Sequence, residues 1–87
     1  MYVILVYDIS VERLDNVRKY LKQYLNWVQN SAFEGEIRKG DLEKIKIELK
    51  NLINENADSI ILYEAQDRKL IKKERLGIEK NPVSTII

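Results

Sequence analysis

The sequence predicts an α+β fold in which two helices cover one face of an antiparallel sheet. Two apolar runs, at residues 2–7 and 59–65, have the length and the β-branched and aromatic content of buried strands. Two stretches between and beside them repeat their apolar residues at helical spacing. A chain of 87 residues without cysteine is expected to hold one domain and no disulfide framework.

Taken in order, residues 2–7 read as a strand buried on both faces, and Asp8 breaks the run. Ser10 is placed to cap a helix by accepting a backbone N–H, and Leu14, Val17, Leu21, Tyr24 and Leu25 then fall on one stripe. The first helix is therefore expected over 11–25. The stretch 27–37 sets Val28, Ala32, Phe33 and Ile37 among polar residues, too irregularly for a helix; one bent strand and a tight hairpin turning near 31–35 both fit. Asp41 is the expected cap of the second helix, whose apolar stripe is Leu42, Ile45, Leu49, Leu52 and Ile53. Its other side, with Glu43, Lys44, Lys46, Glu48 and Lys50, reads as a solvated face.

After the apolar strand at 59–65, a more polar strand over 70–78 is expected across Gln66, Asp67 and Arg68. A turn at 79–82 then leads to a short apolar end, 83–87. This order of elements is the split βαβ pattern of a ferredoxin-like βαββαβ sandwich with an extra C-terminal strand. Residues 1–78 are the expected domain, and 79–87 a tail strand pairing with a partner subunit. Two helices cover only one face of such a sheet, yet the strands at 2–7 and 60–63 are apolar on both. A symmetric second copy is the commonest cover, so a homodimer is expected; a monomer offering that face to another partner is the alternative.

Histidine is absent along with cysteine, which removes histidine triads, thiolate nucleophiles and nitrogen or sulfur metal sites. Carboxylates, hydroxyls, lysine or metal-bound water remain. No stretch approaches the roughly 20 apolar residues of a membrane span. Met1 leads straight into a strand-like run instead of a basic leader, so a soluble, cytoplasmic protein with no membrane association is expected. The net charge of +1 argues against holding nucleic acid by bulk charge and leaves room for a local basic face.

Asp8 is the carboxylate best placed for chemistry, because open sheets present ligand groups at strand ends. The same position also suits an acid that stabilises the positive end of a helix dipole. In a dimer that pairs sheet faces, two Asp8 side chains could approach one cleft, where their repulsion favours a divalent cation. Oxygen donors select magnesium or manganese, which can activate water against a phosphodiester. Arg13, Arg18, Lys19 and Lys22 on the first helix, with Arg38 and Lys39, form either a phosphate ladder or an ordinary solvated side diluted by Glu12 and Asp15. Tyr2, Tyr7, Phe33 and Tyr63 raise base stacking on the sheet, but no Gly-aromatic RNA-recognition strand motif is present, so packing is the assignment for most of them.

Two segments, YVILVYDIS at 2–10 and VQNSAFEG at 28–35, together with the stretch from Glu64 and GIEK at 77–80, resemble the small CRISPR-associated adaptation proteins. The resemblance spans nearly the whole chain in order. It implies a ferredoxin-like homodimer whose last segment extends the partner's sheet, with Asp8 as the catalytic residue and magnesium (or manganese) ligand. It also implies a metal-dependent endonuclease acting on RNA or DNA, and a partnership with the CRISPR integrase dimer during spacer acquisition, a role that needs no hydrolysis. Tyr7, Ser31 and Phe33 match the family's nucleic-acid-binding pattern, and Arg13 and Arg18 both remain carriers of its helical arginine. Trp27 stands where many members carry arginine. Alternatives are a non-catalytic scaffold bridging integrase dimers and a small ribonuclease toxin resembling virulence-associated protein D, which shares the fold. A metabolite-binding regulatory module is disfavoured by the lack of a Gly-rich ligand loop.

Overall fold

Alternation along the first strand sorts its side chains onto two unlike surfaces. In the computed structural model, which describes residues 1–80, β1 (Tyr2–Asp8) buries Val3, Leu5 and Tyr7 beneath the helices. Ile4, Val6 and Asp8 fall on the opposite face. The chain continues through α1 (Val11–Leu21), β2 (Asn26–Gln29), β3 (Ala32–Glu36), α2 (Lys39–Leu52) and β4 (Ser59–Ala65). The sheet order is β2-β3-β1-β4, with every neighbouring pair antiparallel. This is the ferredoxin-like βαββαβ arrangement. The stretch left open between a bent strand and a hairpin is a hairpin, turning at Asn30 and Ser31, with an irregularity between Trp27 and Gln29.

One core joins the sheet to both helices. Leu5, Phe33, Val17, Leu21, Leu42, Ile45 and Val3 are its fully buried side chains. The first helix stops at Leu21 instead of running to 25, and packing explains why. The N–H groups of Gln23 and Tyr24 donate to the carbonyls of Tyr20 and Leu21, tightening the last turn, and Leu25 drops into the core over Gly35. A methyl group on Gly35 would sit 3.3 Å from Leu25 Cδ2, so the bare backbone there makes room for this turn.

Both expected caps are corrected. Ser10 occupies the N-cap of α1 but its side chain makes no capping bond. Its carbonyl accepts the Arg13 N–H, and its own N–H is engaged elsewhere. The second helix begins at Lys39, with Arg38 as its cap; Asp41 lies inside the first turn and pairs with Arg38 at 3.1 Å.

The strand expected over 70–78 does not form. The Asp67 side chain accepts the Lys69 N–H and closes a short 3-10 turn over Arg68–Leu70, after which the described residues, through 80, pair with no strand of the sheet. It crosses the helix-free face instead, where Lys73 pairs with Glu34 and the Arg68 guanidinium stands 6.0 Å from the Tyr2 ring centre. Tyr2, Ile4, Glu34, Arg68, Ile71 and Lys73 help line a cleft of about 430 Å³ there. Beyond this crossing the helix-free face is apolar and, among the described residues, open, with Ile61 49% and Tyr63 55% exposed beside Val6. The expected tail strand at 83–87 lies outside the described residues. Among those described, no helix is long and apolar enough to cross a membrane.

Candidate active site

Asp8 is the last residue of β1, exposed, and level with Ser59 across the β1–β4 ladder. The first turn of α1 carries its own acid, Glu12, so the helix dipole has a nearer carboxylate than Asp8. Hard oxygen at a solvent-facing strand end suits magnesium or manganese. Among the described residues, however, no three acidic side chains gather closely enough to hold a metal ion. One protomer thus offers the right kind of donor in too small a number.

The other expected site residues divide between two clusters. Tyr7 faces the helices, away from Asp8. Its hydroxyl donates to the Asn30 carbonyl at 2.7 Å and accepts from Arg18 Nε at 3.0 Å. Arg18 Nη2 donates to the same carbonyl at 3.1 Å. Ser31 enters through its backbone carbonyl, which accepts the Tyr7 N–H at 3.0 Å. Phe33 lies 5.9 Å from the Tyr7 ring and stacks on Trp27 at 6.4 Å. Arg18 and Lys22 each stand 4.7 Å from the Trp27 ring centre, a cation–π arrangement that orients both toward the β2 edge. Phe33 is fully buried and Tyr7 nearly so, which leaves their rings no free face for a nucleic-acid base.

Arg13 belongs to the second cluster and settles which helical arginine joins Tyr7. Its Nε and Nη2 donate to the two oxygens of Asp58, at 2.6 and 2.9 Å. Asp58 has a side chain 0% exposed and accepts two further bonds, from the Ser10 N–H at 2.9 Å and the Asn54 N–H at 2.9 Å. Sequence reasoning missed it. A lone acid before an apolar strand carries no pattern that names a partner 45 residues earlier.

The Arg13 guanidinium, helped by the two backbone N–H groups and opposed by burial, holds the Asp58 carboxyl well below the usual carboxylate range. A folded-state value below the unfolded value of about 3.9 means that stabilisation is complete at neutral pH and lost as acid protonates the carboxylate. The melting temperature is therefore expected to fall as pH drops from about 4 to about 2, and to fall less in Asp58→Asn. Parallel acid profiles for the two proteins would remove this assignment.

Fold and site together define a class: a ferredoxin-like domain with an acidic strand end and an open apolar sheet face. The sequence model of the family described as CRISPR associated protein Cas2 matches residues 1–73. The chain is 52% identical to the CRISPR-associated endoribonuclease Cas2 of Pyrococcus furiosus over 87 residues, covering all of both chains. It is 53% identical to the protein of the same name from Methanosarcina acetivorans, again over the full length of each. A crystal structure of Cas2 superposes with a TM-score of 0.84 at 44% identity, covering 100% of this chain and 98% of that one. The chain belongs to the Cas2 family.

Proposed function

We propose that the protein is a metal-dependent endonuclease, acting on RNA as a homodimer and working beside the CRISPR integrase dimer in spacer acquisition. The observation that carries the reading is the end-to-end identity, about half of all positions, with relatives named endoribonucleases. Two copies pairing their helix-free faces would cover Val6, Ile61 and Tyr63, which one copy leaves exposed. The same pairing would bring a second Asp8 carboxylate to one cleft, where water and substrate phosphate would complete the oxygen shell of an ion.

Asp8 of each copy is the residue that would hold magnesium or manganese. The bound ion supplies an activated water and offsets charge on the phosphodiester. The chain's own contribution is to bind and orient the strand. Arg18 uses two of its five N–H donors on Tyr7 and Asn30, so three remain to meet phosphate oxygens, and Lys22 adds a second cation from the next turn. Arg13 is committed to Asp58 and takes no part in this contact.

The scaffold reading draws on one observation, the absence of an acidic cluster within the described residues of a single chain. Purified protein incubated with single-stranded RNA or duplex DNA, in magnesium, manganese or chelator, separates the two. RNA cut in the presence of metal and spared by chelator supports the nuclease. Intact substrates under every condition leave the scaffold.

A further inference from the structure

Asp58 and Asp8 meet at one end of the sheet without touching. Asp58 directly precedes β4, whose first residue, Ser59, forms the last rung of the β1–β4 ladder with Asp8. Both oxygens of its fully buried side chain are engaged, and the donors come from three segments: the Ser10 N–H two residues past Asp8, Arg13 in the first turn of α1, and the Asn54 N–H after α2. The pattern resembles a capping box with one part relocated. In such a box the third helical residue is Glu or Gln, which accepts the N–H of the cap residue. Here Ser10 is the cap, the third residue is Arg13, and a guanidinium cannot accept that bond. Arg13 instead grips Asp58, and an Asp58 oxygen accepts the Ser10 N–H from 48 residues away. Ile9, between the two ends of the turn, is buried in the core.

We infer that Asp58, gripped by Arg13, is a positioning residue for Asp8: it locks the short turn between strand end and helix and so fixes where the Asp8 carboxylate is presented. The inference rests on the reading of Asp8 as the metal ligand. An ion pair that served stability alone could sit anywhere in the core. This one uses an oxygen on the backbone two residues from Asp8 and lies beside the rung that Asp8 occupies. Groups that orient metal ligands from behind are worth about 10- to 100-fold in affinity or turnover.

The test uses the full-length protein, with manganese as the metal probe and single-stranded RNA as substrate. Asp58→Asn, measured at a temperature where circular dichroism shows it folded, should speed amide exchange at Ser10, weaken manganese binding and lower kcat by about 10- to 100-fold. KM should stay within about twofold, because Arg18 and Lys22, the proposed phosphate contacts, stand over Trp27 and away from Asp58. Arg13→Gln, which leaves the two backbone bonds to Asp58, should show the same pattern in weaker form, and Arg13→Lys, which keeps the charge but not the two-pronged grip, should recover only part of kcat; these two decide the matter if Asp58→Asn does not fold. Faster Ser10 exchange with unchanged kcat and manganese affinity would make Asp58 a purely structural residue and overturn the inference. A wild type that neither binds manganese nor cleaves would show that the metal-ligand reading of Asp8 had failed before any variant was made, and the inference would fall with it.

Discussion

Replacing Asp8 with Asn is expected to abolish magnesium-stimulated cleavage, by about 100-fold or more, while leaving the fold in place. The substitution keeps the shape and one carbonyl oxygen of the side chain and removes the charge that a hard cation requires. Asp8 is exposed at the last position of β1 and outside the core cluster, so the change belongs to the class of surface substitutions that cost within about 0.5 kcal/mol. For a domain of this size that is a shift in melting temperature of about 2–4 °C. The phosphate contacts proposed for Arg18 and Lys22 should also persist, so RNA binding measured in chelator ought to match the wild type. Cleavage that survives both Asp8→Asn and chelator would place the chemistry elsewhere.

The largest effect on stability is expected at Phe33. Its ring is fully buried, pairs across β3 and β1 with Leu5, packs against Tyr7 and stacks under Trp27. Truncation to Ala removes that burial and leaves a cavity, a loss of about 3–5 kcal/mol. Against a total stability of about 5–15 kcal/mol for a small domain, most of the margin disappears. The same change takes away the support beneath Trp27, so Arg18 and Lys22 should lose order and RNA affinity should fall along with stability. Urea unfolding at fixed protein concentration measures the first part and filter binding the second. A stability change below about 1 kcal/mol would mean that the ring is not the centre of this core.

How far the fold could be read from the sequence follows from the range of the interactions involved. The strand at 59–65 was legible to the residue and the first strand to within one, since an apolar run bounded by polar residues is a local signal. Helix ends were less legible. The stop at Leu21 depends on Leu25 settling over Gly35, a contact between segments that periodicity along one helix does not contain. Ser10 and Asp41 looked like caps by residue type, but an acid from far along the chain and the Arg38 pair engage those helix starts instead. The stretch 70–78 has the composition of a strand, yet a strand also needs a free edge beside it, and this segment is carried over the sheet face.

At the site, the strand-end position of Asp8 was readable, as was the grouping of Tyr7, Ser31 and Phe33. Packing, assigned from the sequence to most of the aromatic residues, holds for Tyr7 and Phe33, which are buried. The sequence does not say which arginine is free. That question is decided by Asp58, which occupies Arg13 and leaves Arg18 for the β2 edge.

The central claim is that two copies pair their helix-free faces and bring their Asp8 side chains to one ion. Sedimentation at micromolar concentration combined with a manganese-binding titration tests it in one sample. The account predicts about twice the monomer mass and one tightly bound ion per two chains, with both lost in Ile61→Lys, which places a charge opposite Val6 on the open face. A monomer, or one ion for every chain, would contradict it.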